Sequence, residues 1–334
     1  MQFLGVPGIQ FVVQSVFHAW IVTLAVEGLL KIWEVRYPVL RARFRLLVLA
    51  LPLVAWPAFQ LLWPERGGEA FRAGPALIDL NAWLSLMPLG IPLFYPIAAL
   101  LVANAAVFFT QELLPALKQQ LFSVPLACDA VPARVERAFA RVCQRAGITP
   151  GVVSICVTAQ EDPVAYTAGL RNQRMVISTG LVDTLDDEEM ETVLAHELAH
   201  RLRYDNRTGW AILGLGTLML YNPLALLELR LIAQERERAC DDVAAQTTGK
   251  PLALASALLK VARRTMGGTL GYHPRARLSP VAWLQMFGSR AVRAQIEERV
   301  TRLVKPVQPR PVPWANLRLA VTAALLAILL YYVV

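Results

Sequence analysis

Long apolar runs near both ends of the chain limit most strongly what this sequence can fold into. A helix needs about 20 consecutive, mainly apolar residues to cross a bilayer. Four stretches approach that length, from about Val12 to Leu30, Leu46 to Trp63, Leu89 to Phe109 and Leu317 to Val334. The sequence therefore predicts three transmembrane helices in residues 1–115, a water-facing domain in residues 116–312 and one transmembrane helix in residues 313–334.

Several residues inside the predicted spans are unusual for a membrane helix. Four prolines are expected to kink the second and third spans: Pro52, Pro57, Pro92 and Pro96. His18, Glu27 and Asn104 place polar groups in the first and third spans, where ionisable residues are functional candidates. We favour structural explanations, with His18 bonded to a neighbouring helix and Glu27 extending towards the cytoplasmic surface.

Charge and composition exclude one class of partner and orient the chain. Only 17% of the 334 residues are charged, with a net charge of +8. The basic residues form no stripe interleaved with aromatics, so no direct nucleic-acid binding is expected. The loop after the first span is strongly basic, with Lys31, Arg36, Arg41, Arg43 and Arg45 against Glu34. The loop after the second span is not basic, because it has Glu65, Glu69 and Asp79 against Arg66 and Arg72.

The positive-inside rule then places the first loop and the large middle domain in the cytoplasm, with both termini outside the inner membrane. The arginines from Arg263 to Arg310 are expected to meet anionic lipid headgroups. The four cysteines have no CxxC spacing, so we interpret them as reduced, mostly buried cytosolic thiols: Cys128, Cys143, Cys156 and Cys240. We expect Cys240 to be a packing residue.

The middle domain is predicted to be mostly helical with a small sheet. A helix is expected from Pro132 to Ala146, before Gly147. Short strands are expected at Val152–Val157 and Arg174–Ser178, and Ala165–Gly169 between them could form another. Asp186 and Glu189 have the side chains of a capping box ahead of a helix from about Asp187 to Arg203.

A second long helix is expected from about Pro223 to Gln246, closed by Gly249. The stretch before it, Trp210 to Tyr221, is strongly apolar. It could be a buried helix, a membrane-dipping helix or, together with Leu224 to Leu227, half of a fifth span. We interpret this stretch as buried or interfacial, because a full crossing would separate Glu237 from His196.

The segment His196-Glu197-Leu198-Ala199-His200 carries the clearest chemical signal. Residues four apart lie on one face of a helix, so both imidazoles can reach one ion. Glu197 then lies beside a metal-bound water as its general base. The chain has only four histidines, and two of them fall in this pattern. A catalytic zinc takes three protein ligands, and Glu237 on the second helix is the predicted third. Asp241, one turn later, is predicted to orient a metal-bound histidine.

With these motifs, the run from roughly Asp162 to Thr248 resembles the membrane gluzincin peptidases, especially the BlaR/MecR antirepressor type. The matching segments are Thr179-Gly180-Leu181, Leu194 to His200, Asp205, Asn222-Pro223 and Glu237 to Asp241. The CaaX-processing and heat-shock membrane peptidases are related through the same two metal motifs. The resemblance implies a multi-pass α-helical membrane protein with an α+β, mostly helical zincin domain and one zinc ion per chain.

The same resemblance implies regulatory cleavage of a cytoplasmic protein, with a separate sensor or repressor as a partner. In those receptors a penicillin-binding sensor follows the last span, whereas this sequence stops at Val334, so antibiotic sensing is not carried over. The alternatives are a quality-control or maturation peptidase at the bilayer and a receptor or scaffold with a structural zinc site. Glu197 argues against the last alternative, because a structural site needs no base.

Further residues are candidates for parts of the same reaction. Tyr221, His273 or one of the arginines is a candidate for stabilising the oxyanion, although we favour a surface turn for His273. The strand at Ala165–Gly169 resembles the edge on which gluzincins dock extended substrates, with a plain structural strand as the alternative. For Asp205, a helix-end or surface charge is favoured over a role at the metal.

Overall fold

A computed structural model describes residues 7–115, 117, 128–149, 153–168, 174–269, 293–305 and 313–334. The chain divides into two units. The helical unit comprises Met1–Ser123, Trp210–Glu235 and Pro309–Val334, and the mixed unit comprises Val124–Gly209 and Arg236–Gln308. The largest difference from the predicted boundaries is that Trp210–Glu235 groups with the predicted membrane helices.

Among the described residues, three helices of the helical unit are long and apolar enough to cross a membrane. These are α1 (Pro7–Ile32), α2 (Pro38–Leu62) and α3 (Phe94–Phe108), which continues as a π-helical turn over Phe109–Leu113. Helix α2 runs through Pro52 and Pro57. Helix α3 starts later than predicted, after a 3₁₀ turn at Pro88–Gly90. The prediction that Pro92 and Pro96 kink this span is wrong, because Pro92 precedes α3 and Pro96 occupies its first turn, where no backbone N–H is required.

The mixed unit begins with α4 (Ala133–Ala146), which ends at Gly147 in the left-handed conformation, with φ 67°. Three strands follow: β1 (Ser154–Thr158), β2 (Ala165–Ala168) and β3 (Arg174–Ser178). The sheet order is β1-β3-β2, with β1 parallel and β2 antiparallel to β3. Strand β2 is therefore an edge of this three-stranded sheet. Residues Val152 and Gly169, expected in strands, lie outside the described part of the chain.

Two helices follow β3, namely α5 (Thr179–Thr184) and α6 (Asp187–Leu202). The core of the mixed unit forms where α4, α6 and the sheet meet. Its fully buried members include Val135, Val142, Met175, Ile177 and Leu194. The mostly helical domain with a small sheet is thus confirmed.

Helices α7 (Asp205–Leu218) and α8 (Pro223–Thr248) form a hairpin, and α8 begins at Pro223 as predicted. The chain turns at Met219–Asn222, where the Asn222 side chain accepts a hydrogen bond from Leu224 N at 3.0 Å. A Cβ added to Gly216 would lie 2.5 Å from Leu229 Cδ1, so the two helices of this hairpin pack closely. Met219, Leu224 and Ala225 are buried in the core of the helical unit, and Ile212 and Leu215 pack against it. This agrees with the interpretation of the stretch as buried or interfacial.

Buried ion pairs tie this hairpin into the helical unit. Arg45 lies 2.7 Å from Glu27 and 3.1 Å from Glu228, and Arg41 lies 2.6 Å from Glu235. Glu27 therefore pairs with Arg45, while the expectation that it extends towards the cytoplasmic surface stays a prediction. An unpaired charge in this apolar core would be costly, whereas the pairing offsets much of that cost.

The other two polar residues of the predicted spans make backbone contacts. His18 Nε2 lies 3.2 Å from the Val333 carbonyl oxygen, and Asn104 donates a hydrogen bond to the Leu220 carbonyl at 2.9 Å. The structural interpretation of His18 is therefore confirmed.

Further along the chain lie α9 (Pro251–Thr269), α10 (residues 293–304) and α11 (Ala315–Tyr331). Two short helices, Glu69–Ala73 and Leu80–Leu84, lie between α2 and α3. Helix α11 is apolar but has 17 residues, which is fewer than the three longer candidates contain. A transmembrane role for this last segment stays a prediction.

Two of the four cysteines form a disulfide. Cys128 is bonded to Cys156 with a Cα–Cα distance of 5.1 Å, whereas Cys143 and Cys240 are free and buried. The expectation of four thiols is therefore wrong for the first pair. The two sulfurs meet because Asp129 N donates to the Val157 carbonyl at 2.8 Å, which places the segment before α4 alongside β1.

Candidate metal centre

Helix α6 presents the first metal motif, and its start is fixed by local chemistry. Asp186 accepts hydrogen bonds from the backbone N–H groups of Glu188 and Glu189, while the Glu189 carboxylate accepts from Asp186 N. The predicted capping box is thus confirmed. Three acidic residues in the first turn also favour the positive end of the helix dipole.

Two buried carboxylates hold α6 between α4 and α9. Glu189 accepts hydrogen bonds from Ser256 Oγ at 2.7 Å and Lys260 Nζ at 2.6 Å, both on α9. Glu191 accepts from Arg141 Nε at 3.3 Å and also from Arg145, both on α4. Buried carboxylates need such partners, so these contacts fix which face of α6 is turned towards the cavity.

The three predicted ligand side chains converge on one point. His196 Nε2 and His200 Nε2 are 3.2 Å apart. Glu237, on α8, places Oε2 at 3.5 Å from His196 Nε2 and Oε1 at 3.3 Å from His200 Nε2. Atoms this close, contributed by two imidazoles and one carboxylate, form a donor set that suits zinc.

The outer nitrogen of each histidine faces a different aspartate. His196 Nδ1 lies 3.1 Å from Asp241 Oδ1, and His200 Nδ1 lies 2.9 Å from Asp205 Oδ2. An aspartate at this position fixes the tautomer and orientation of a metal-binding imidazole. The structure thus brings Asp241 to the histidine site as expected, and it adds Asp205.

Asp205 was expected to be a helix-end or surface charge. It is the first residue of α7, so the helix-end position is confirmed, whereas the surface position is wrong because the residue is buried. Its side chain is buried and faces Arg203 and Arg236 as well as His200. A sharp turn brings it there, because Tyr204, between α6 and α7, has φ 54°. A left-handed conformation is uncommon for a tyrosine, and no local sequence pattern predicted it.

The electrostatics of the site favour a cation. Burial by itself lowers the pKa of His196, yet the carboxylates of Asp241 and Glu237 raise it to about 9. Burial also lowers the pKa of His200. Its hydrogen bond to Asp205 and its other neighbours outweigh burial and raise this pKa to about 12. Carboxylates that stabilise imidazolium ions also stabilise a bound divalent cation, so these residues fit the zinc site that the motif implies.

Cys240 is buried beside this cluster, and its Sγ lies 3.4 Å from Asp205 Oδ2. Burial raises the pKa of the thiol to about 11, so it is neutral at physiological pH. A neutral thiol is a poor metal ligand, which agrees with its interpretation as a packing residue.

Glu197 lies with the two histidines in a cavity of about 330 Å³. Strand β2 forms one side of the cavity through Ala165, Tyr166 and Thr167, while Asp205, Arg236 and Glu237 contribute the rest of the lining. Thr167 Oγ1 donates to Glu197 Oε2 at 3.5 Å. The metal motif, the predicted base and the sheet edge therefore share one space.

The residues proposed to stabilise the oxyanion lie in different parts of the structure. Tyr221 belongs to the helical unit, where its hydroxyl lies 2.7 Å from Ser15 Oγ. His273 lies outside the described residues. Among the arginines, Arg236 lines the cavity.

The expectation that Arg299 and Arg302 meet lipid headgroups is wrong. Both guanidinium groups bind carboxylates of α8, Arg299 at Asp241 and Arg302 at Asp242. The sequence contained a weak signal of these ion pairs, since α8 carries two adjacent aspartates that need partners.

Comparison with known proteins agrees with this geometry. Residues 130–267 match peptidase family M48. A protease HtpX homolog of Methanothermobacter thermautotrophicus is 27% identical over 204 residues, covering 54% of this chain and 77% of the relative. The homolog of Pyrococcus abyssi is 27% identical over 173 residues, and that of Acidiphilium cryptum is 30% identical over 154. The chain spans 58% and 53% of the length of these two relatives.

Each of these relatives is named as a protease HtpX homolog. The resemblance drawn from the sequence was instead to the BlaR/MecR antirepressor type. The matched region contains both motifs, from α4 to most of α9. Together, the family match and the fold indicate that residues 130–267 form a zincin domain similar to peptidase family M48. The described part of the chain also has three helices long and apolar enough to cross a membrane.

Proposed function

We propose that this chain is a membrane zinc endopeptidase that cleaves extended protein segments. One zinc ion per chain would be held by His196, His200 and Glu237, with Asp241 and Asp205 orienting the two imidazoles. The convergence of the two Nε2 atoms and the Glu237 carboxylate within 3.5 Å carries this proposal. The M48 match and the HtpX-type relatives support it.

Glu197 acts as the general base in the proposed reaction. When bound, zinc supplies Lewis acidity towards water and the scissile carbonyl. Glu197 takes a proton from the attacking water and returns it to the departing amine. Thr167 Oγ1 is close enough to hold one carboxylate oxygen in place, at 3.5 Å. Arg236, in the same cavity, is our candidate for stabilising negative charge on the oxyanion.

Strand β2 provides the proposed docking edge for the substrate. Ser178 N donates to the Val164 carbonyl at 2.9 Å, so residues 164, 166 and 168 direct their backbone groups towards β3. By alternation, Ala165 and Thr167 direct theirs to the open side of the strand. An extended peptide can add there as a fourth strand, beside Glu197 and both histidines.

We place the peptidase domain on the cytoplasmic side of the inner membrane, because the loop between α1 and α2 is basic. Two roles follow from different substrates. Cleavage of a soluble regulator would support the regulatory role, whereas cleavage of membrane proteins would support quality control or maturation.

The first test compares the wild type with Glu197→Gln in detergent, measuring zinc content and cleavage of casein. The Gln side chain keeps the shape of Glu but cannot accept the proton. About one zinc per chain in both proteins, with cleavage by the wild type alone, is the expected result. Zinc in both with cleavage in neither would favour the structural-site alternative, and no zinc in either would refute the proposal.

A further inference from the structure

Helix α10 lies beyond the region matched to family M48, yet it contacts the metal motif directly. Arg299 donates from Nε to Asp241 Oδ2 and from Nη2 to Asp241 Oδ1, both at 2.7 Å. Its third nitrogen, Nη1, lies 3.1 Å from Glu237 Oε2. The side chain is only 16% exposed, so solvent screens these contacts weakly.

One guanidinium therefore joins the two acidic residues of the second motif. Glu237 and Asp241 are one turn apart on α8, where like charges repel. Arginine has a planar fork with fixed geometry, so it can hold a carboxylate by two parallel hydrogen bonds. A lysine at this position would neutralise charge without fixing the orientation of both carboxylates.

The contacts leave a defined set of oxygens facing the histidines. Arg299 contacts Oε2 of Glu237, and the other oxygen of the same carboxylate, Oε1, lies 3.3 Å from His200 Nε2. Arg299 donates hydrogen bonds to both oxygens of Asp241, and one of them, Oδ1, also lies 3.1 Å from His196 Nδ1. The orientation of a predicted ligand and of the partner of another ligand thus depends on the same side chain.

Neighbouring contacts hold α10 on α8 without touching the site. Arg302 donates to Asp242 at 2.6 Å, Arg238 donates to Glu298 at 2.5 Å, and Leu303 is buried in the core of the mixed unit. The docking of α10 is therefore shared among several side chains, whereas the contact with Glu237 and Asp241 comes from Arg299.

We propose that Arg299 is a positioning residue of the metal centre, which fixes the Glu237 ligand and, through Asp241, the His196 ring. The inference rests on the proposed zinc site and assigns part of its geometry to a helix outside the matched region. Arg299 acts through other side chains and touches neither metal nor substrate.

The test compares Arg299→Gln and Arg299→Lys with Arg302→Gln in the full chain in detergent. Arg302→Gln is the matched control, because it removes an ion pair between the same two helices, one turn away. Zinc affinity is measured by competition with a chromophoric chelator. The visible absorption spectrum of the cobalt-substituted protein reports ligand geometry without requiring activity.

We expect Arg299→Gln to bind zinc about 10- to 100-fold more weakly and to alter the cobalt spectrum. Arg299→Lys should fall between that variant and the wild type, and Arg302→Gln should stay within about 2-fold of the wild type. Thermal unfolding checks that each variant is folded. If Arg299→Gln does not fold, Arg299→Lys carries the same comparison, because it keeps the cation and loses only the fork.

The outcomes separate this inference from the proposed function. Equal zinc affinities and cobalt spectra in the wild type and the Arg299 variants would overturn the positioning role alone. Equal losses in the Arg299 and Arg302 variants would also overturn it, since general docking of α10 would then explain both. Failure of the wild type to bind either metal would overturn the zinc site and this role together.

Discussion

Asp205 Oδ2 lies 2.9 Å from His200 Nδ1, the ring nitrogen that faces away from the predicted metal position. The contact spans five residues and a break between two helices, with Tyr204 in a left-handed conformation at the break. His200 thus has an aspartate partner of its own, as His196 has in Asp241. Both predicted histidine ligands are oriented by a buried carboxylate.

Replacing Asp205 should weaken zinc binding. We expect Asp205→Ala to lose about 10- to 100-fold in zinc affinity, because the His200 ring is no longer oriented. Asp205→Asn, which still accepts a hydrogen bond, should lose less. Chelator competition measures both, with the exposed Asp183→Asn as control. Unchanged affinity in Asp205→Ala would show that this contact does not orient a ligand.

Stability of the metal-stripped protein should decrease with rising pH. The pKa of His196, raised from 6.5 to about 9, means that its stabilising contribution is complete below 6.5 and is lost as pH rises through 9. Zinc must displace these protons, so the gain in Tm on adding zinc should grow over the same range. Thermal unfolding with and without chelator measures both trends. His196→Gln should flatten the decrease of Tm with pH in the metal-stripped protein. A Tm that rises with pH in the stripped wild type would contradict this prediction.

The open edge of β2 can be tested with a single backbone donor. Ala165→Pro removes an outward N–H while leaving the pairing with β3 intact, since proline is tolerated on edge strands. We expect KM for a peptide substrate to rise about 2- to 10-fold, which corresponds to one lost hydrogen bond. Ala165→Val keeps the N–H and is the control for added bulk. An unchanged KM in the proline variant would argue against docking on this edge.

The Cys128–Cys156 disulfide provides a test of which side of the membrane the mixed unit occupies. Cytosolic thiols are kept reduced, whereas external disulfides persist. The structure shows this pair oxidised, whereas the proposed cytoplasmic placement requires it to be reduced in growing cells, so its state in cells decides between the two sides of the membrane. Acid quenching of cells, alkylation and mass spectrometry measure this, with Cys128→Ser as control. A pair that is fully oxidised in quenched cells would place the domain outside and overturn the proposed orientation.

The metal motif was predictable because its geometry is local. Spacing of four residues puts His196 and His200 on one face of any α-helix, whatever the rest of the fold does. The capping box at Asp186 and Glu189 is equally local, and so are the apolar runs that form α1, α2 and α3. Each of these features depends on backbone geometry within one or two turns, which the sequence specifies directly.

Tertiary structure decided the partners of these residues. Arg299 is 58 residues from Asp241, and Cys128 is 28 from Cys156, so no local pattern relates them. Glu27 met Arg45 only because α1 packs against α2. Charged and thiol side chains can satisfy themselves with water, lipid headgroups or many protein partners, and only the packed fold selects among these. The sequence by itself determined which side chains on one helix face can reach a single metal ion, and the fold determined what holds them in place.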